Sequence, residues 1–113
     1  MGTSIFSRII ARDIPADILY EDEHVVAFHD IAPQAPVHVL IVPREEISSI
    51  AALNHGHQNL VGHMVLTAQQ VARDLGLDSG YRLVMNCGDD GGQTVWHLHL
   101  HLLGGRPMHW PPG

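Results

Sequence analysis

A chain of 113 residues holds one domain with room for a real core, and a second domain does not fit. A net charge of −6, no lysine and six scattered arginines (Arg8, Arg12, Arg44, Arg73, Arg82, Arg106) exclude a basic nucleic-acid surface, and no 18-residue apolar run offers a membrane span. Cys87 stands alone, so no internal disulfide forms, and Met1 does not open a signal-peptide pattern; a cytoplasmic protein is expected.

Thr3 or Ser4 can cap a short helix over residues 4–11, with Ile5, Phe6, Ile9 and Ile10 as its apolar stripe and Pro15 beyond its end. Two short strands, Ile18 to Glu21 and Val25 to His29, flank the acidic turn Asp22-Glu23. Asp30 to Pro36 contains two prolines and reads as an ordered loop. Val37 to Val42 is β-branched enough for a central strand, stopped by Pro43, and Ser48 or Ser49 can begin a brief helix. The longest element runs from about His57 to Leu75. Its Leu60, Val61, Met64, Val65, Ala68, Val71, Ala72 and Leu75 recur at helical spacing, and Gly76 follows where a terminating glycine belongs. Tyr81 to Asn86 is a further strand, Gly88 to Gly92 a turn, and Thr94 to Leu103 the last strand. Helix, three strands, helix, two strands, with no regular crossover helices, predicts an α+β domain on a mainly antiparallel sheet.

The last strand carries the chemistry. In Trp96-His97-Leu98-His99-Leu100-His101-Leu102-Leu103, histidines alternate with leucines, so a strand places three imidazoles on one face. Imidazoles work near neutral pH as nucleophiles, proton carriers and donors to phosphate. His99 is central and is the natural nucleophile, provided an acceptor fixes its other nitrogen as N–H. Protonated neighbours would offset charge on phosphate oxygens. Without a basic patch, an anion must be held locally by imidazolium and backbone N–H groups. Gly91-Gly92-Gln93-Thr94 leads into the strand and offers close backbone approach and a hydroxyl. His38, in the other central strand, and Asn86, at a strand end, suit either a site or a structural role. Neither a Gly-x-Gly-x-x-Gly fingerprint nor a P-loop occurs.

The run from His97 to Leu103 resembles the histidine triad signature, His-φ-His-φ-His-φ-φ with φ apolar. Ser4 to Ile10, Phe28 to His38, Gly91 to His97 and the ending Gly104 to Gly113 are similar to the nucleotide-binding (HINT) branch of that superfamily. The resemblance implies a five-stranded antiparallel sheet with two helices, joined across a homodimer into a ten-stranded sheet. It implies hydrolysis of the P–N bond of purine nucleoside 5′-phosphoramidates through a nucleotidyl-histidine, with no cofactor or metal, no nucleic acid and no membrane. By position, His99 is the nucleophile and the His97 carbonyl holds its Nδ1–H. His101 and His38 meet the phosphate, Thr94 the leaving group or a phosphate oxygen, and Asn86, Gly92 and Gln93 the phosphate region. Asp30 takes the ribose hydroxyls, Ile5, Phe6, Ile9, Phe28, His29 and Ile31 line the base pocket, and Trp110 reaches the partner's site.

A carboxylate accepts two hydrogen bonds from a vicinal diol and repels phosphate, which predicts Asp30 at the ribose end, away from the imidazoles. Two departures from the family pattern stand out. Trp96 replaces a common Tyr, and Arg44-Glu45-Glu46 is more acidic than usual, which would alter the preference for charged leaving groups. Three other readings stay open: a metal site built from a His-x-His pair and His38, a non-catalytic nucleotide-binding protein, and a dinucleoside polyphosphate hydrolase.

Overall fold

The computed structural model describes residues 4–113, so Thr3 as a helix cap lies outside the described residues. Ser4 is the cap of α1 (Ile5–Ile10): its backbone is extended and its side-chain oxygen accepts from Ser7 N–H at 2.9 Å. The helix stops after two turns, where Arg12 takes a left-handed φ of 67°. The strands β1 (Ile18–Glu21), β2 (Val25–His29) and β3 (Val37–Pro43) follow. Two single 3₁₀ turns, Ile50–Ala52 capped by Ser49 and His55–His57 capped by Asn54, lead into α2 (Gln58–Asp74). The second of these turns is not evident in the sequence. At the far end of α2, Leu77 N–H returns to Ala72 O at 3.0 Å and Gly76 N–H to Arg73 O at 3.1 Å, with Gly76 at φ 74°. This is a Schellman ending, and it requires a left-handed residue that glycine supplies without a Cβ clash. Strands β4 (Tyr81–Val84) and β5 (Leu100–Gly104) complete the chain.

All five strands form one antiparallel sheet, as expected, and its order is β1-β2-β3-β5-β4. The β-branched run of β3 is central because only a doubly covered strand can bury both of its faces. Val25, Ala27, Val39, Ile41, Leu100 and Leu102 point to one side, where Met64, Ala68, Val71 and Ala72 of α2 cover them. Val26, Phe28, Leu40 and Val42 point to the other, under Phe6 and Ile9 of α1. Six residues of helix cannot cover the whole of that second face. The part beside β5 is left to the histidines.

Two strands fall well short of their expected bounds, while β3 and β5 each run one residue beyond their expected ends, to Pro43 and Gly104. The strand expected over Thr94–Leu103 begins only at Leu100, so His97 and His99 precede the ladder. The register explains why. Ile41 faces Leu100, so two positions further Pro43 faces Leu98. Proline has no N–H to donate, and the ladder cannot extend past it. Leu98 N–H instead donates to Ile47 O at 2.6 Å, and Pro43 O receives the His97 ring at 2.8 Å. Alternation still holds without the ladder: Leu98 is in the α2 core with Leu100 and Leu102, which leaves the imidazoles on the α1 side. The strand expected over Tyr81–Asn86 ends at Val84, two residues short of Asn86.

Candidate active site

Between α1, the loop after β2 and the histidine segment lies a cavity of about 370 Å³. Ile5, Phe6 and Ile9 form an apolar wall, Phe28, His29, Asp30 and Ile31 a second wall of mixed character, and Thr94, His99 and His101 stand at the polar end. These residues were all expected, and they come from both ends of the chain. Ile14, Pro15, Ala16, Ala32, Gln34 and Val95, which lie between elements and carry no periodic signal, also line it without having been anticipated, as does Leu40 of β3. Ile31 is 92% exposed and forms the rim rather than the floor.

The proton positions of the histidines follow from their partners. His99 Nδ1 lies 2.6 Å from the carbonyl of His97, which can only accept, so Nδ1 carries the hydrogen and Nε2 keeps its lone pair. Phe6 stands edge-on to the His99 ring at 4.9 Å, restricting its rotation. A second chain runs through His38. Gln34 N–H donates to its Nδ1 at 3.0 Å, which places the hydrogen on Nε2, 2.8 Å from His101 Nδ1. The His101 hydrogen then sits on Nε2. Among the described residues, that nitrogen is a buried donor with no partner. A buried unpaired donor costs roughly 1–3 kcal/mol. Here it lies beside the His99 ring, 4.9 Å between centroids, where an arriving anion would satisfy it.

Burial lowers the pKa of all three imidazoles from the ordinary 6.5. For His101 burial is joined by the repulsion of His99 and His38, against the pull of Asp30, and the value falls to about 4. The His97 carbonyl and Asp30 partly offset the burial of His99, and Asp30 that of His38. The expected imidazolium neighbours are therefore neutral at pH 7 before an anion arrives. Three rings packed together out of water cannot carry several positive charges. The free imidazole N–H offered to an anion here is the neutral Nε2–H of His101.

Asp30 is closer to the imidazoles than its charge predicts. Its Oδ2 is 3.5 Å from His38 Nε2, while Oδ1 accepts Ala32 N–H at 2.8 Å. The loop turn sets this position: an Asx hydrogen bond to residue 32 holds the carboxylate over the end of β3. Asp30, His38 and His101 bring ligand-capable atoms within 4.8 Å of one another, and this set could take a divalent ion. Doing so would break the His38–His101 hydrogen bond.

The glycine turn acts differently from expectation. Gly92 N–H is taken by Asp89 O and Gln93 N–H by Gly88 O, both at 3.0 Å, so neither is free for an anion. The Gln93 side chain, 5% exposed, accepts from Gly88 N–H and donates to Ser48 O and Val95 O. Gly92 and Gln93 thus shape the loop that presents Thr94 and do not line the cavity. A Cβ at Gly91 would lie 2.3 Å from Cys87 O, so the turn closes only on glycine. Asn86 is two residues beyond Val84, which faces His101, and does not line the cavity. Trp110 is 83% exposed on the tail and does not line it either. Glu45 and Glu46 are also outside the cavity: Glu45 meets His57 at 3.1 Å and Glu46 accepts from Ser7 at 2.9 Å. Their expected effect on charged leaving groups has no direct contact behind it.

Comparison with known proteins agrees with this geometry. The HIT domain family model matches residues 11–108. An uncharacterized HIT-like protein of Synechococcus elongatus is 54% identical over 110 residues, 97% of this chain and 96% of that one. The crystal structure of a HIT family hydrolase from Legionella pneumophila superposes with a TM-score of 0.96 at 46% identity, covering 98% of this chain and 100% of the other. That of a histidine triad nucleotide-binding protein from Candida albicans gives 0.82 at 28% identity, covering 96% and 83%. A cavity closed by residues from both ends of the chain, a tautomer-fixed central histidine and a match over most of the length together place this chain in the HIT domain family.

Proposed function

We propose that the protein is a purine nucleoside phosphoramidase of the HINT type, cleaving the P–N bond of adenosine or guanosine 5′-phosphoramidates. The observation that carries this reading is the pairing of two nitrogens at the polar end of the cavity. His99 Nε2 is left basic by its Nδ1–H bond to the His97 carbonyl, and beside it stands the unpaired His101 Nε2–H. A nucleophile and an oxyanion donor side by side suit in-line displacement at phosphorus. His99 Nε2 attacks the α-phosphorus, the P–N bond breaks, and the amine leaves with a proton drawn from the site. Water then attacks the nucleotidyl-histidine, the new P–N bond to His99 breaks, the nucleoside monophosphate departs, and the proton that the water gives up replaces the one the amine took. His101 bonds a non-bridging oxygen through its free Nε2–H, His38 holds His101 in place through its own Nε2–H, and Thr94 meets the leaving group. Phe6, Ile9 and Phe28 hold the base in apolar surroundings, and Asp30 takes the ribose hydroxyls.

The test is a substrate panel of phosphoramidates, dinucleoside polyphosphates and sugar-nucleotides, with the intermediate trapped by rapid quench and located by peptide mass spectrometry. Fastest turnover of a phosphoramidate and a nucleotidyl adduct on the His99 peptide support the reading. Preference for a dinucleoside polyphosphate would replace it with the other hydrolase branch. The Asp30–His38–His101 cluster favours one rival, a metal-dependent enzyme. Activity that survives dialysis against a chelator excludes it, and loss restored only by a divalent ion establishes it.

A further inference from the structure

We propose that Ser4 is a positioning residue for the nucleophile, acting through the ring of His97. His97 is 1% exposed, and its Nε2 lies 2.8 Å from Pro43 O. A carbonyl only accepts, so Nε2 carries the hydrogen and Nδ1 is a buried lone pair that needs a donor. Two hydroxyls reach it, Ser4 Oγ at 2.8 Å and Ser7 Oγ at 3.2 Å. Each has one hydrogen. Ser7 is also 2.9 Å from Glu46 Oε1, an acceptor only, so its hydrogen goes there. Ser4 is left as the donor to His97, and its own oxygen accepts Ser7 N–H as the cap of α1. Every group in this assignment is satisfied, without the longer 3.3 Å Ser4–Ser7 contact.

The consequence reaches the reacting nitrogen in two steps. The His97 ring is pinned by Ser4 on one side and Pro43 O on the other. Its backbone carbonyl is therefore fixed, and the His99 imidazole hangs from that carbonyl at 2.6 Å. Ser4 also starts the helix whose Phe6 packs edge-on against His99. One hydroxyl thus sets both the nucleophile and the apolar wall of the cavity. Glu46 contributes by occupying Ser7, which gives the acidic residue a role that does not involve the leaving group.

The kinetic arm of the test rests on the proposed phosphoramidase reading, whereas the spectroscopic arm does not. In wild-type protein with ¹⁵N-labelled histidine, the His97 ring should appear as the neutral Nε2–H tautomer with a slowly exchanging Nε2 proton. An Nδ1–H or doubly protonated ring overturns the proposal without any variant. Ser4→Asp separates capping from donation, because aspartate caps a helix as well as serine but has no proton to give. A carboxylate facing the Nδ1 lone pair repels it instead of bonding it, so the His97 ring loses one of its two anchors and kcat should fall about tenfold, the rate equivalent of one hydrogen bond, with KM within about twofold. Ser4→Thr keeps cap and donor and should stay within about twofold of wild type in kcat. A Ser4→Asp protein with wild-type kcat, a loss confined to KM, or failure of Ser4→Thr to retain activity overturns the assignment. If Ser4→Asp does not fold, the wild-type spectrum and Ser4→Thr decide. A wild type that cleaves no phosphoramidate refutes the proposed function, and the spectrum then decides the role of Ser4 by itself.

Discussion

His99 keeps its hydrogen on Nδ1, so its replacement by alanine removes the lone pair proposed to attack while the cavity walls remain. His99→Ala should lower kcat by about a thousandfold or more, with nucleotide affinity largely kept, as measured by single-turnover kinetics and calorimetry. The lowered His99 pKa fixes the acid limb of the rate. Its reactive neutral form persists as pH falls through the ordinary imidazole value of 6.5, and kcat/KM should begin to decline only below it. Stability follows the same sign. A histidine whose folded pKa is depressed binds fewer protons folded than unfolded, so stability declines as pH drops. For His101 the window runs from about 6.5 to about 4, and denaturant midpoints across it measure the slope. Asp30 has Oδ1 on Ala32 N–H and Oδ2 toward the site, so it retains lone pairs for a ribose hydroxyl. A 2′-deoxy substrate should lose roughly 1–3 kcal/mol of transition-state binding in kcat/KM, and Asp30→Ala should narrow that gap. Equal rates with both sugars in wild type would remove Asp30 from this role.

The scaffold depends on helix α2 lying across one face of the sheet. Met64, fully buried at the centre of that contact, packs where β2, β3 and the triad leucines meet. Met64→Ala should lower unfolding free energy by about 2–5 kcal/mol, through lost burial and a cavity the rigid sheet cannot collapse into. Gln69→Ala, on the exposed side of the same helix, should stay within about 0.5 kcal/mol. Chemical denaturation of both variants checks the pair. Because Leu98, Leu100 and Leu102 are in this core, damage to α2 should also reach the histidines on the opposite face.

At the scale of the whole molecule, β4 is paired on one side only, to β5, and its other edge is open. Tyr81 on that strand and Val65 and Leu66 on α2 are exposed, and no described helix is long and apolar enough to cross a membrane. We propose that two β4 edges pair about a two-fold axis, giving the ten-stranded sheet, with α2 of each protomer beside it. Sedimentation should then give about twice the 12.4 kDa chain mass at micromolar concentration. Trp110, exposed on a tail tied to β4 by the Arg82–His109 O hydrogen bond of 2.7 Å, would cross to the partner's cavity. Trp110→Ala should shift leaving-group selectivity more than thermal stability. A fully active monomer rules out both the shared sheet and the crossing tail.

The sequence by itself determined the element order, the central place of β3, the α+β class and the identity of the histidines. Each of these rests on local periodicity or on short motifs, which act within a few residues. It also determined the residues of the apolar wall, through resemblance more than through pattern. Only the tertiary structure decided the rest. Pro43 stops the ladder opposite Leu98, a register effect between segments more than fifty residues apart in the chain. The turn hydrogen bonds consume the N–H groups of Gly92 and Gln93, which a glycine pair in a sequence cannot announce. Burial beside one another keeps His38, His99 and His101 neutral, an outcome set by desolvation and not by residue type. Asp30 sits near His38 because of a loop turn, and Ser4 meets His97 across 93 positions of chain. Proton placement depends on which acceptor stands opposite each donor, and that is settled only when the chain has folded.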